Sequence, residues 1–294
     1  MRGDGLVKVV ILGTSQDGGR PQVGCQKICC EAARKEPDLA RFPVALGIKG
    51  TDDSFHLVEA SREMARQFDI WASTEGFAGV LSSLCLTHAH LGHVDGLGLF
   101  GKEVMGVKGL ITYCSPAMIS LLNKTPAWLE LLRQEALLPR PWDAGTSFEP
   151  TEKCGFTITP IPVPHRSELT DTHALLVTGP ERRLLFLPDI DSWDDVLHGR
   201  GLKEWLDEMD VDIALIDGTF WDSDELADRN MDEVPHPAVV DSLERLGRRN
   251  PQDPEIHFLH LNHTNPLHDL GSEQSLEVMH KGWNVCEQGA IFEL

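Results

Sequence analysis

Short apolar runs recur along the chain, and each breaks off at a polar or glycine-rich turn. That spacing predicts many short strands interleaved with loops and amphipathic helices. Val7 to Leu12 is the first such run, followed by the glycine-rich loop Gly13 to Gly19, and Cys25 to Lys35 reads as a helix. Pro43 to Ile48 and Ser54 to Glu59 flank a polar turn and predict a hairpin. Ser61 predicts a helix N-cap, with Met64, Ala65 and Phe68 on the inner face of the helix that follows. Val80 to Leu86 predicts a buried strand. Leu110 to Tyr113 predicts another, leading into a helix capped by Ser115-Pro116. A helix near Ala127 to Glu135 carries Trp128, Leu129, Leu131 and Leu132, more bulk than a solvated face requires. Further strands are predicted at Phe156 to Pro164, His173 to Thr178, Arg183 to Leu187, Val211 to Ile216 and Glu255 to Leu259. Without an internal repeat, a low-complexity tract or a long linker, residues 1–294 are expected to form one α/β (α+β) domain.

Several of these runs stop at the same kinds of residue. Val80 to Leu86 runs into Thr87-His88-Ala89-His90-Leu91-Gly92-His93, and Phe156 to Pro164 stops at His165. Later runs stop before Asp189, before Asp217-Gly218-Thr219-Phe220-Trp221, and before His260-Leu261-Asn262-His263. A rigid sheet aims the loops at its strand ends toward one cleft, so functional side chains gather there. Packing has no need of three imidazoles at the end of an apolar strand, whereas a metal does, because neutral imidazole is the commonest protein ligand for zinc. His88, His90 and His93 are therefore candidate ligands. Cys25, Cys29 and Cys30 are candidate ligands of a structural zinc that takes its fourth ligand from elsewhere; the alternative is a set of free thiols packed as small apolar groups. The loop Gly13 to Gly19 lacks the spacing and the lysine of a phosphate-binding loop, and its glycines read as permitting close approach of another chain segment. Asp95 is expected to cap the helix after the histidine loop.

Composition narrows the partners. A formal net charge of -20 argues against nucleic acid or an anionic membrane surface, both of which reward basic surface. No apolar run approaches the roughly 18 residues of a membrane span. Seven cysteines in 294 residues read as reduced thiols or metal ligands rather than a disulfide framework. With Met1 to Gly5 leading straight into a strand, no secretory leader is read, and a cytoplasmic setting is expected.

His88-x-His90-x-Gly92-His93, then His165, Asp189 and a late histidine, resembles the metallo-β-lactamase superfamily, with ligands in that order along the chain. The resemblance implies a four-layer αββα sandwich with one or two metal ions at one edge. A closer resemblance is to the pyrroloquinoline quinone biosynthesis protein B subfamily. It is carried by Ile11-Leu12-Gly13-Thr14, Gly18-Gly19, Pro21-Gln22 and the cysteines after them, and by Glu59-Ala60-Ser61, Asp217 to Trp221 and His260 to Pro266. That subfamily carries a thiol where Lys27 stands, for which Cys29 is a possible substitute.

By this resemblance His88, His90 and His165 are ligands of a first ion, Asp189 bridges, and His93 and His260 hold a second. The family aspartate is missing at Gly92, and His263 is expected either to fill the vacancy, which makes the site softer and better suited to zinc, or to hydrogen-bond within its own turn. Asp217 is expected either to order a ligand histidine or to cap its own turn. The implied activity is that of a metal-dependent hydrolase, in which a bound Zn2+ lowers its water's pKa toward about 7 for attack on a small ester, lactone or cyclic phosphodiester. Asp189 and Asp217 are its expected catalytic carboxylates. The other implied activity is an iron-dependent oxygenase acting on a quinone-cofactor precursor; manganese is also compatible with the ligand types. The expected partner is a small-molecule substrate, with a homodimer possible.

Overall fold

The computed structural model describes residues 5–225 and 234–294. The expectation about a leader rests largely on Met1 to Asp4, which lie outside the described residues. In chain order the first strands are β1 (Lys8–Gly13), β2 (Ala45–Lys49), β3 (Phe55–Val58), β4 (Ser83–Cys85), β5 (Leu110–Cys114) and β6 (Leu137–Pro141). They are followed by β7 (Thr157–Val163), β8 (Thr172–Thr178), β9 (Arg183–Leu187), β10 (Ile213–Asp217), β11 (Glu255–Leu259), β12 (Asn284–Val285) and β13 (Ile291–Glu293). One sheet has the order β13-β1-β2-β3-β4-β5-β6 and the other β12-β11-β10-β9-β8-β7.

The two sheets meet face to face. Val9, Ile11, Ile48 and Val58 of the first sheet share a dry cluster with Leu175, Val177, Phe186 and Leu215 of the second. On its outer side the first sheet packs Val10, Leu57 and Leu84 against Met64, Trp71, Met118 and Leu131 of the helices Met64–Glu75, Pro116–Lys124 and Pro126–Arg133. The second sheet packs Leu185, Ala214 and Ile256 against Trp193, Leu206, Leu243 and Val278 of its own helices. The result is the expected four-layer αββα sandwich. Burial on both faces explains why β9 and β10 read as continuous apolar runs instead of alternating.

Local signals were accurate where a side chain acts on its own backbone. The Ser115 hydroxyl accepts from Met118 N–H, as its position before Pro116 predicts. Ser61 behaves differently: it accepts from Glu63 N–H and donates to Gln67 Oε1, so the helix begins at Met64 after Glu63. That shift turns Gln67 and Trp71 inward beside Met64 and leaves Ala65 exposed. The helix predicted from Cys25 starts at Ile28, leaving Cys25 in the preceding loop. Pairing of β13 with β1 has no local signature, because it joins the two ends of the chain.

Buried histidines outside the strand-end cluster make stability depend on pH. His56 lies between the hydroxyls of Ser54 and Ser83, each at 2.8 Å, and burial pushes its pKa down to about 4. The unfolded chain takes up a proton at the ordinary 6.5, so this contribution is complete above 6.5 and is lost as pH falls toward 4. The slope is about 1.4 kcal/mol per pH unit for one such group. Denaturant unfolding of a His56→Gln variant between pH 6.5 and 5 should show a shallower loss than the parent by about 2 kcal/mol over that interval. Equal slopes would place the titration elsewhere.

Candidate metal centre

Four loops at one end of the sandwich bring the strand-end residues together. His88, His90, His165 and Asp189 offer ligand atoms that lie within 4.8 Å of one another. His90 Nδ1 and His165 Nε2 are 3.1 Å apart, and His165 Nε2 is 3.5 Å from Asp189 Oδ1. Ligand atoms about 2.0–2.1 Å from a tetrahedral zinc are separated by roughly 3.4 Å. The observed spacings fit that edge length. His93 and His260 flank Asp189 on the other side, with Nε2 atoms 3.3 and 3.5 Å from its carboxylate oxygens. Buried Nε2 atoms of His88, His93 and His260, together with Asp189 Oδ2, have no hydrogen-bond partner. Buried polar atoms are otherwise almost always satisfied, so a converging set of orphaned lone pairs fits a cation.

Two matching relays set which ring nitrogen faces the centre. Thr87 Oγ1 lies 2.5 Å from Glu59 Oε1 and 2.9 Å from His88 Nδ1. The hydroxyl's one proton goes to the carboxylate, so His88 Nδ1 donates to it and Nε2 keeps its lone pair. Thr219 Oγ1 does the same between Asp217 Oδ1 at 2.7 Å and His260 Nδ1 at 2.8 Å. Glu59 also lies 3.3 Å from His93 Nδ1. His260 has φ 62°, a strained value for a non-glycine residue, and this turns its ring from the end of β11 into the cluster.

The electrostatics agree with the geometry. Burial pushes down the pKa values of His88 and His90, and that of His165 to about 4, which keeps them neutral and able to ligate. Burial opposes ionisation of Asp189, but the surrounding His260, His93, His88 and His165 outweigh it and hold the carboxylate well below its usual range. Burial likewise opposes charge on His93, and the carboxylates of Asp189, Glu59 and Asp17 overcome it, raising its pKa. A proton on His93 and a divalent cation among the same carboxylates are therefore alternatives, and binding one releases the other.

Three expectations need correction. His263 does not reach the second subsite. Its Nδ1 lies 3.7, 3.5 and 3.4 Å from the thiols of Cys25, Cys29 and Cys30, and it completes a separate four-residue cluster. One turn of chain past His260 points its side chain at the thiols instead of at Asp189. Asp217 is buried and its carboxylate does not face the centre, so what is corrected is its place as a catalytic carboxylate. Both other expectations hold, since it caps its own turn by accepting from Thr219 and orders His260 through that hydroxyl. It also accepts from Ile190 N–H and pairs with His236 Nδ1 at 2.6 Å. Asp95 forms an ion pair with Arg62 at 2.5 Å at the C-terminal end of the short helix Leu91–Val94, and does not cap a helix start.

The thiol cluster has zinc dimensions. Roughly 3.6 Å is expected between nitrogen and sulfur ligands and about 3.8 Å between two sulfurs on a tetrahedral zinc; Cys29 and Cys30 Sγ are 3.9 Å apart. Backbone N–H groups of Lys27 and Gln22 point at the Cys25 and Cys30 sulfurs. Burial and the neighbouring thiols push Cys30 up to about 12, so three thiolates need a cation to coexist. This cluster and the histidine centre share their supports. The loop after β1 is tied to the turn after β11 by Gln16 N–H to Leu261 O and by Leu261 N–H to Thr14 O, both 2.9 Å.

Two residues at the centre carry no local motif. Asp17, in the glycine-rich loop, places Oδ1 3.5 Å from His93 Nε2 and 3.6 Å from His260 Nε2. His236, in Val234-Pro235-His236-Pro237, offers a ligand atom within 4.8 Å of those of Asp189 and His260. A signal for Asp17 existed in the empty position at Gly92, which asked for a carboxylate from elsewhere. His236 lies in no predicted element or motif, and only the fold brings it in. The glycine reading of the loop holds at Gly13, where a Cβ would lie 2.0 Å from Pro43 O.

A fold of two facing sheets with converging histidines and aspartates at one edge defines a metallo-β-lactamase-type protein. The chain belongs to the beta-lactamase superfamily, whose domain matches residues 57–261. Within it the chain is similar to Coenzyme PQQ synthesis protein B of Methylobacterium radiotolerans, at 26% identity over 98% of this chain and 100% of that one. Among solved structures, Zn(2+)-bound PqqB from Methylobacterium extorquens superposes with TM-score 0.79 at 20% identity, covering 98% of this chain and 100% of that one. A diphosphatase from the PhnP family superposes with TM-score 0.68 at 18% identity, covering 98% and 97%. Among the described residues no helix is long and apolar enough to cross a membrane.

Proposed function

We propose that this chain is a metal-dependent, most simply zinc-dependent, hydrolase of a small anionic ester, with a phosphodiester the best fit. The observation that carries this reading is the pair of donor clusters joined at Asp189, with orphaned nitrogens spaced for a cation. An ion held there supplies Lewis acidity and lowers the pKa of a coordinated water toward about 7. Everything else falls to the chain's own side chains. Asp189 holds the two subsites together and orients the attacking water. The relays through Thr87 and Thr219 keep the ligand lone pairs facing inward. His236 holds a proton for the leaving oxygen: burial disfavours its charge, but Asp217 at 2.6 Å outweighs this and raises its pKa above 6.5.

The anionic preference rests on Arg166. A cleft of about 770 Å³ opens beside the centre, lined by His165, Arg166, Ser167, Thr172 and His173 among others. The Arg166 Nε is buried without a hydrogen-bond partner, and its charge bears on both His90 and His236. A guanidinium with a nitrogen left unpartnered at a cleft is a binding group for phosphate or carboxylate. Arg166→Ala should raise KM by roughly 30-fold, about 2 kcal/mol, for an anionic substrate while leaving metal content unchanged. A neutral ester should lose little; equal losses for both would remove Arg166 from substrate binding.

The full-length similarity to Coenzyme PQQ synthesis protein B favours a second reading, an iron-dependent oxygenase acting on a quinone-cofactor precursor. Elemental analysis of the purified protein, combined with a screen of ester, lactone, thioester and phosphodiester substrates, separates the two. Zinc with oxygen-independent turnover supports hydrolysis. Iron with oxygen consumption, and no turnover of any ester, overturns it.

A further inference from the structure

We infer that Asp17, from the loop after β1, supplies the carboxylate of the second metal subsite, replacing a ligand that the histidine loop lacks at Gly92. The inference rests on reading the histidine cluster as a metal centre. Three observations carry it. Asp17 Oδ1 lies 3.5 Å from His93 Nε2 and 3.6 Å from His260 Nε2, and both nitrogens also face Asp189 at 3.3 and 3.5 Å. Asp17, His93 and His260 thus form one face of a pocket that Asp189 closes from the other side. The second Asp17 oxygen is engaged by the loop itself, since Gly92 N–H donates to Oδ2 at 3.3 Å. That contact orients the carboxylate with Oδ1 toward the imidazoles.

The third observation is steric. A Cβ built on Gly92 would lie 2.5 Å from Asp17 Cα, Cγ and Oδ1 alike. No side chain at position 92 can coexist with Asp17 where it stands. The two positions compete for one volume, and that volume adjoins the lone pairs of His93 and His260. The absence of a side chain at Gly92 is therefore a condition for Asp17 to enter from the other loop, and the subsite keeps an oxygen ligand. The subsite thus keeps a second carboxylate beside Asp189, in contrast to the softer, less anionic site expected from the sequence with His263 in that place.

Reciprocal exchange tests this through metal binding. Parent chain, Asp17→Gly, Asp17→Asn and the double variant Asp17→Gly/Gly92→Asp are loaded with Zn2+ and, separately, Co2+. Metal is counted by elemental analysis, affinity is measured by competition with a chelator, and the Co2+ spectrum separates thiolate-bound from histidine-bound ions. In the single variants the more weakly held ion of the histidine centre should lose at least ~100-fold in affinity, with the thiolate-bound ion and circular dichroism unchanged. The double variant should recover that ion, because its carboxylate returns to the same volume from the opposite loop. If Asp17→Gly and Asp17→Asn bind both ions as tightly as the parent, the assignment of Asp17 is wrong while the metal centre stands. If the parent takes up ions only at its thiolates, the metal centre and the role of Asp17 fall together.

Discussion

Asp189→Asn is expected to abolish turnover, lowering kcat/KM by at least ~10³-fold, because in the proposed centre any bound ion would lose its anionic ligand and several kcal/mol of charge stabilisation with it. The loss should be visible without any substrate: the histidine centre should retain well under half its ions while the thiolate-bound ion stays. The reason lies in the position of this one carboxylate. Its two oxygens lie within 3.5 Å of nitrogens on His93, His165 and His260, residues contributed by three separate loops. Asparagine keeps the shape but removes the charge that would offset bound cations. Full metal occupancy in that variant, measured by elemental analysis, would mean that Asp189 only packs the cluster.

The second large effect is on stability. Cys30→Ser or His263→Ala should remove the ion from the thiol cluster and lower Tm by roughly 6–12 °C, from a loss of about 3 kcal/mol in a domain of this size. Cys286→Ser, which alters a buried thiol outside the cluster, should leave metal content untouched. The thiol-cluster variants should also weaken the second subsite. Asp17 and the thiols lie on one stretch of chain, His260 and His263 on another, and the backbone bonds at Gln16 and Leu261 join the two. If the thiol-cluster variants keep the parent's melting temperature with the ion gone, the cluster is not part of what holds these loops in place.

Much of the molecule was written locally. Strands β1, β7, β9 and β11 begin and end within a residue or two of their predicted runs; for β1 and β9 the reason is that a strand buried on both faces needs an unbroken apolar stretch and a polar turn to leave it. The histidine loop announced itself because His88, His90 and His93 stand at the end of such a strand, where packing has no use for imidazole. The three thiols stood out by proximity alone. Each of these signals lies within a few consecutive residues.

Other features depend on distance along the chain being cancelled by the fold. His263 was expected beside His260 because the two are neighbours in sequence, but the strained backbone of His260 and the turn after it send the two rings to different clusters. Asp217 carries no sign that its partner is His236, 19 residues further along the chain. Asp17 and Gly92 are 75 residues apart, and only their shared volume reveals that one has room because the other is bare. From the chain alone came most of the strands, and through its family resemblance the sandwich, together with the histidines and the aspartate that the fold brings to one edge. The tertiary structure decided which ligand belongs to which cluster, because ligation depends on where lone pairs converge in space and sequence order does not encode that convergence.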